Sequence, residues 1–379
     1  MTTDKHNKRP NVPPLRFPEF SGEWNRTSIG DKFELYSGNT PSRLEKDQFV
    51  GKINWITSGE LKNHYIAATN ETITEEAAAN NNLRLLPIGT FVIAIYGLEA
   101  AGVRSTGSIT TEASTISQAC MAFLPKGEIS NEFLYSWYMK HGNTIGLRYA
   151  QGTKQQNLSY DIIERFKISY PNVLEQRKLE KFISLLDRRI ATQSGLINKL
   201  ESLIGGIIER LTAQYPNVRI ADCLECHSST LQENQLNETG GYRVYGANGI
   251  CGYTDSPGIN GDAILIVKDG SGVGNVSYAI GEYSVIGTSN YLTAKNGYSL
   301  RYLYYILKKF NFAPYKTGMA IPHIYFKDYG RAMVYCPSFE EQERIAKKLS
   351  KIERKIEIER SIKDCCIAQK QYLLQQMFI

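Results

Sequence analysis

The chain has 379 residues, 42% of them hydrophobic and 22% charged, with a net charge of +6. That length supports two or three domains with ample core, and the mild basicity permits a nucleic-acid partner without demanding one. No run approaches the ~18 apolar residues of a membrane span, and seven cysteines without framework spacing point to reduced thiols in a cytoplasm.

Taken in chain order, residues 1–19 form a polar, proline-rich arm. It has no apolar stretch after its basic residues, so a secretory leader is not expected. Residues 20–172 are rich in Gly, Thr, Asn and Tyr and read as a globular half-domain. Within it, 87–94 (PIGTFVIA) is a strand behind a glycine turn, 102–107 is a glycine-rich turn, 114–117 belongs to a further strand, and 131–142 (NEFLYSWYMKHG) is a short amphipathic helix. A polar loop, 149–157, leads to a long helix over 173–212. Residues 213–337 repeat the order: strand 259–267 (INGDAILIV), glycine turn 270–276, a strand at 284–287, helix 299–310 (SLRYLYYILKKF), and a loop at 315–323. A second long helix occupies 338–379.

The two long helices align without gaps at an offset of 166 residues. Glu175 meets Glu341, Gln176 meets Gln342, Ser184 meets Ser350 and Arg188 meets Arg354. Pro171 and Pro337 precede both copies, and Tyr149 and Gly152 match Tyr315 and Gly318 in the same register. Leu179, Ile183, Leu186, Ile190, Gln193, Ile197, Leu200 and Ile204 alternate steps of four and three, which is a heptad seam. The second helix starts the same seam with Ile345, Leu349, Ile352 and Ile356. It then weakens at Glu359, Lys363 and Lys370, and Ile358 and Ile362 suggest that the stripe shifts there or that another partner is met. Gly205 and Gly206 would each cost about 1 kcal/mol inside a helix, so they predict close packing or a bend. The seam by itself fits a plain dimerisation hairpin equally well. Between the helices the half-domains align only with small gaps. The fold class is therefore mixed α/β (α+β): two domains in tandem pseudo-repeat, carried by two long helices.

Enzyme machinery is not legible. No G-x-x-x-x-G-K-[ST] loop is present. Residues 270–274 (GSGVG) follow a strand but lead into another strand, so no helix N-terminus would face a phosphate. Residues 223–227 (CLECH) have the spacing of a haem attachment site, but export is not expected and zinc would need two further ligands. We read these cysteines as incidental thiols and expect no metal and no catalytic residue. A DNA methyltransferase or nuclease with built-in recognition, and a purely structural coiled coil, are the competing readings.

Several segments resemble one family. Residues 15–24 (LRFPEFSGEW), 29–43 (IGDKFELYSGNTPSR), 53–61 (INWITSGEL), 175–190, 242–255 (YRVYGANGICGYTD) and 265–276 (LIVKDGSGVGNV) are similar to segments of the DNA-specificity subunits of type I restriction-modification systems. The resemblance implies two target-recognition domains, each reading one half of a bipartite double-stranded DNA site, held by an antiparallel helical pair. It also implies two methyltransferase subunits and restriction-translocase subunits as partners. S-adenosylmethionine, ATP and Mg2+ would then belong to those partners, with no cofactor on this chain.

Base edges call for Arg, Lys, Asn, Gln, Ser and Thr, and phosphates for cations and free amides. The expected contacts are Gln151, Thr153, Lys154 and Gln156 of the polar loop, with Lys316, Thr317 and His323 of its counterpart; a merely solvated loop is the plainer alternative. Asn39, Thr40, Ser42, Arg43, Thr57, Ser58, Tyr96 and Arg104 join them in the first half. Tyr245, Asn248, Lys268, Ser271, Ser289 and Asn290 do so in the second. Either tyrosine could instead pack in a core.

Overall fold

A computed structural model describes residues 10–100, 102–319 and 321–379; the first nine residues of the expected arm lie outside them. The chain divides into two compact units, 1–192 with 363–379, and 193–362.

In the first unit the chain runs β1 (Asn25–Ser28), α1 (Ile29–Lys32), β2 (Phe33–Ser37), β3 (Ile53–Ile56), β4 (Tyr65–Ile66), β5 (Thr72–Ile73), α2 (Glu75–Asn80), β6 (Phe91–Ala94), β7 (Gly107–Thr110), β8 (Ser114–Ile116), β9 (Cys120–Pro125), α3 (Asn131–Tyr149), α4 (Tyr160–Arg165) and β10 (Lys167–Tyr170), then enters α5 (Val173–Thr212). The main sheet has the order β2-β9-β6-β7-β4, a smaller sheet the order β5-β3-β8, and β1 pairs with β10. β6 is apolar at every position (FVIA) and fully buried, because sheet neighbours flank it and α3 packs on its face.

The second unit follows α5 with β11 (Val218–Arg219), α6 (Ile220–Cys223), β12 (Leu224–Ser228), β13 (Tyr242–Gly246), β14 (Gly249–Thr254), β15 (Ile259–Asn260), β16 (Ala263–Val267), β17 (Val276–Ala279), β18 (Glu282–Val285), β19 (Ser289–Ala294), α7 (Leu300–Lys308), α8 (Phe326–Tyr329), β20 (Met333–Val334) and α9 (Phe339–Met377). Its sheets run β12-β19-β16-β17 and β14-β13-β18-β15, with β11 on β20. Most strands correspond: β2, β9, β6 and β7 to β12, β19, β16 and β17, and β1 with β10 to β11 with β20, while β4 at the edge of the first main sheet has no counterpart in the second. The parallel pair β3–β8 has its counterpart in the parallel pair β13–β18. The duplication is thus one of topology as well as sequence.

A paired glutamine explains why the register is shared. Gln176 is 1% exposed; its amide donates to the Pro171 carbonyl (3.0 Å), and its side-chain oxygen accepts from the Ser130 N–H (3.2 Å). Gln342, also 1% exposed, donates to Pro337 (2.8 Å) and accepts from Ser299 (2.9 Å). Ser130 and Ser299 are the N-caps of α3 and α7, accepting from the N–H groups of Phe133 and Tyr302. Each glutamine therefore ties the start of a long helix to the start of the short helix and to the strand exit. A residue slip would orphan two buried backbone groups.

The long helices run antiparallel, with Asp187 paired to Lys370 in the first unit and Glu201 to Arg360 in the second. Leu179, Ile183, Leu186, Ile197, Leu349 and Ile356 are buried. Ile190, Leu200, Ile204, Ile345 and Ile352 are half-buried. Two expectations need correction. The α9 stripe does not shift: Ile358 is 46% exposed, and Glu359 is buried at 4%, with its carboxylate held by Lys355. Gly205 and Gly206 serve no close packing, since a Cβ at either would meet open space, and α5 passes through both as continuous helix.

The sequence between residues 10 and 24 is more than a polar arm. Arg16 makes a two-pronged ion pair with buried Glu175 of α5 (both contacts 2.7 Å), and the Trp24 indole also donates to Glu175 (3.3 Å). Asn11 donates to the Trp24 carbonyl and accepts from Ser169.

Candidate nucleic-acid interface

At the end of α3 the chain makes a narrow loop. Gln151 and Asn157 exchange both backbone hydrogen bonds (2.8 and 2.9 Å), and Gly152 turns the chain at φ +108°. A Cβ at Gly152 would lie 2.0 Å from the Gln155 carbonyl oxygen, so only glycine fits. The loop base is sewn to the segment after β6: Leu98 N–H donates to Gln156 O and Leu158 N–H to Ile95 O. The loop in the second unit repeats this construction. Thr317 and His323 exchange both backbone bonds (2.9 and 2.8 Å), and Gly318 sits at φ +89°, where a Cβ would lie 2.4 Å from Ile321 O. Its base is fastened to the turn after β16 by Gly270 N–H to Pro322 O and Ile324 N–H to Lys268 O.

The two loops thus occupy one place in the fold, each beside a glycine-containing turn, and what they display differs. In the first unit Gln151, Thr153, Lys154 and Gln155 are exposed. Gln156 is half-buried and engaged: its side-chain oxygen accepts from Arg104 (2.6 Å), and its N–H donates to the Glu99 carboxylate (2.7 Å). That N–H is the main reason the Glu99 carboxyl is held below its ordinary range. Gln156 and Arg104 therefore brace the loop from within. Tyr96, just past β6, is 41% exposed.

The remaining candidates of this unit cluster around the smaller sheet. Asn39 accepts from Thr40 N–H, and its carbonyl receives the Trp55 indole N–H (3.2 Å). Arg43 pairs with Glu71 (2.6 Å) and lies over the rings of Phe49 and Trp55. Thr57 donates from both its N–H and its hydroxyl to Glu60, and Ser58 follows it in a short 3-10 turn. Ser42 is exposed beside Arg43.

In the second unit Lys316 and Thr317 are exposed, and His323 approaches Asp269 (3.9 Å). Asn248 and Ser271 line a cleft of about 600 Å³ with Ile250 and Gly270. Tyr245 is half-buried with its ring edge-on to Tyr283, as in a core. Ser289 and Asn290 are 2% and 5% exposed. They lie in β19, between β12 and β16, and Asn290 accepts from Ser228. Neither can reach a groove edge from there.

The sequence reading overlooked a basic cleft in the first unit. Arg26, Arg148, Arg165 and Lys167 line a cavity of about 710 Å³ floored by Trp137, Ile145 and Phe166. His141, also in its wall, is pushed down to about 4 by burial and by neighbouring Lys140. The signal was available: Arg148 ends α3 just before the polar loop. At offset 166 the positions of Arg148, Arg165 and Lys167 hold Pro314, Arg331 and Met333. Among the described residues, no three His, Cys, Asp or Glu side chains gather as a metal-binding group. Cys223 is buried, its thiol against the Arg219 carbonyl. No helix among those residues is long and apolar enough to cross a membrane.

Two α/β units of like topology, each presenting a glycine-pinned loop of its own composition, define a protein built as a tandem repeat. The chain belongs to the type I restriction modification DNA specificity domain family, which it matches over residues 21–202 and 214–365. It is similar to the MjaIX specificity subunit of Methanocaldococcus jannaschii, 27% identical over 185 residues, or 48% of this chain and 42% of that one. It is also similar to the EcoR124I/EcoR124II specificity subunit of Escherichia coli, 28% identical over 176 residues, or 46% of this chain and 43% of that one. Each alignment thus spans less than half the length of the curated relative. Among solved structures, the S subunit of a type I restriction-modification system from M. genitalium shares the fold, with a TM-score of 0.68 at 17% identity over 97% of this chain and 99% of that one. A second type I system structure has a TM-score of 0.55 at 15% identity over 96% and 99%.

Proposed function

We propose that this chain is the DNA-reading subunit of a type I restriction-modification complex and that each unit reads one half of a bipartite site. The observation that carries this is the pair of loops: one construction used twice, with different side chains at the tips. A scaffold must keep its packing, whereas two heads reading different bases must differ. In the first unit Gln151, Thr153 and Lys154 are the contacts we propose, with Asn39, Thr40, Ser42, Ser58 and Tyr96 beside them. In the second, Lys316, Thr317, His323, Lys268, Asn248 and Ser271 serve. Arg148, Arg165 and Lys167 supply cations for phosphates.

The helix α5 has 40 residues, about 60 Å at ~1.5 Å per residue, against about 34 Å for one turn of DNA. On this reading the helices set the unread spacer and dock two methyltransferase subunits. Methylation and restriction, with S-adenosylmethionine, ATP and Mg2+, reside on partner subunits in the cytoplasm. Methylome sequencing of a host with and without this chain tests the proposal. A split motif should appear only with the chain, and an unchanged methylome, or methyl transfer by the chain alone, would refute it.

A further inference from the structure

The tip of the second loop is apolar. Met319 is fully exposed at 106%, and Ile321 is 62% exposed. At the same place in the first unit stand Thr153, Lys154 and Gln155. Single exposed apolar residues are ordinary on a protein surface. What distinguishes these two is where and how they are held. Gly318, in its left-handed turn, and the two-way bonding of Thr317 with His323 fix one end of the tip. Pro322, whose carbonyl receives the Gly270 N–H, fixes the other. The tip is flanked by Lys316, His323 and Lys268, and the nearby carboxylate, Asp269, lies 3.9 Å from His323.

An exposed apolar pair with lysines at its base suits a surface that is negative outside and offers small apolar groups within. The DNA major groove provides that only at thymine, whose C5-methyl is the one apolar group on a base edge there. Methionine, unbranched and polarisable, suits such a contact.

We propose that Met319 and Ile321 read thymine methyl groups in the half-site bound by the second unit, whereas the first unit reads its half-site through hydrogen bonds. This rests on the specificity function proposed above.

The test uses the full chain assembled with its methyltransferase subunits, and duplexes carrying its preferred sequence, selected from a random pool. Thymines are replaced by uracil in one half-site at a time, and affinity is read by fluorescence anisotropy at fixed salt. Burial of one methyl group corresponds to about a four-fold change in affinity. Uracil in the second half-site should therefore weaken wild-type binding about four-fold per contacted base. It should leave the double variant Met319→Ser/Ile321→Ser unaffected, and uracil in the first half-site should affect both proteins alike. The variant Met319→Leu/Ile321→Val, which keeps an apolar tip, should retain the uracil response. A second half-site without thymine, or an equal response to uracil in wild type and the Ser variant, overturns the proposal. So does a Ser variant that loses methyltransferase association while uracil is neutral; that result would make the tip a protein contact. If the wild-type chain selects no DNA sequence at all, the specificity function itself fails and this proposal with it. Intact selectivity without a uracil effect sinks this proposal alone.

Discussion

The two units solve the same architectural problem with the same parts and then diverge at the ends of their helices and loops. Gln176 and Gln342 make equivalent pairs of hydrogen bonds, residue for residue. One position earlier the symmetry breaks. Glu175 is buried beneath Arg16 and Trp24, whereas Glu341 pairs with Arg344 one turn along its own helix. Asp187 and Glu353, again equivalent at offset 166, differ in the same way. Asp187 meets Lys370 and a histidine, while Glu353 collects Arg301, Tyr304, Tyr305 and Lys308. What is kept is the joint between long helix, short helix and strand. What varies is the local means of holding each unit to it.

The comparison can be broken most forcefully at the shared joint. Gln176→Ala and Gln342→Ala should each destabilise their unit by about 2–4 kcal/mol, since each orphans a buried N–H and a buried carbonyl. Urea unfolding followed by hydrogen exchange, unit by unit, checks this; a mild effect at one site would show that the joints are not equivalent. Next comes Glu175→Ala, expected to cost about 2–3 kcal/mol by stranding Arg16 and Trp24. Glu341→Ala, at an exposed helical pair, should have no measurable effect. Equal losses would erase the asymmetry described here.

At the loops, Lys154→Ala should weaken binding to all sequences alike and lower the salt slope by about one. Gln156→Ala should behave differently: it frees Arg104 and loosens the loop, so all recognition by the first unit should fall together. A change of base preference without loss of affinity would instead make Gln156 a reader.

The smallest effect is one of pH. His64 lies stacked between Tyr65 and Tyr135 (centroids 4.1 and 3.9 Å away), with Glu132 at 2.9 Å and Asp187 at 3.4 Å. Burial pulls its pKa down, but the two carboxylates outweigh burial and the net shift is upward. A raised folded value stabilises fully below the unfolded value near 6.5. That stabilisation is lost as pH rises through the folded value. The first unit should therefore open more readily at pH 8 than at pH 6, and His64→Gln should remove the difference. The equivalent place in the second unit holds the Arg301–Glu353 pair and no histidine, so hydrogen exchange there, corrected for intrinsic rates, should not follow.

Much of this architecture was legible because it is written in short range or in fixed register. The glycine of each loop, the proline before each long helix and the glutamine after it are demanded by backbone geometry, and such demands leave identical residues at identical spacing. What the sequence did not reveal are pairings across long stretches of chain. Arg104 meets Gln156 and Arg16 meets Glu175 at separations of 52 and 159 residues, which no local pattern reveals. Ser289 and Asn290 have the composition of a groove reader, yet β19 is flanked by strands on both sides and closes over them. Glu359 broke the seam on paper. In the fold, a carboxylate with a lysine one turn away still occupies the inward position.

The unused glycines of α5 have a consequence for where the helical pair is least stable. Gly195, Gly205 and Gly206 have open space around them, so neither packing nor a turn requires them. Each lowers local helix stability by about 1 kcal/mol relative to alanine. The antiparallel partner α9 contains no glycine in its 39 residues. The glycine cost in the helical pair therefore falls on α5 alone. Alanine at these three positions would clash with nothing and would raise the helix stability of α5 by about 1 kcal/mol at each, leaving every described contact intact.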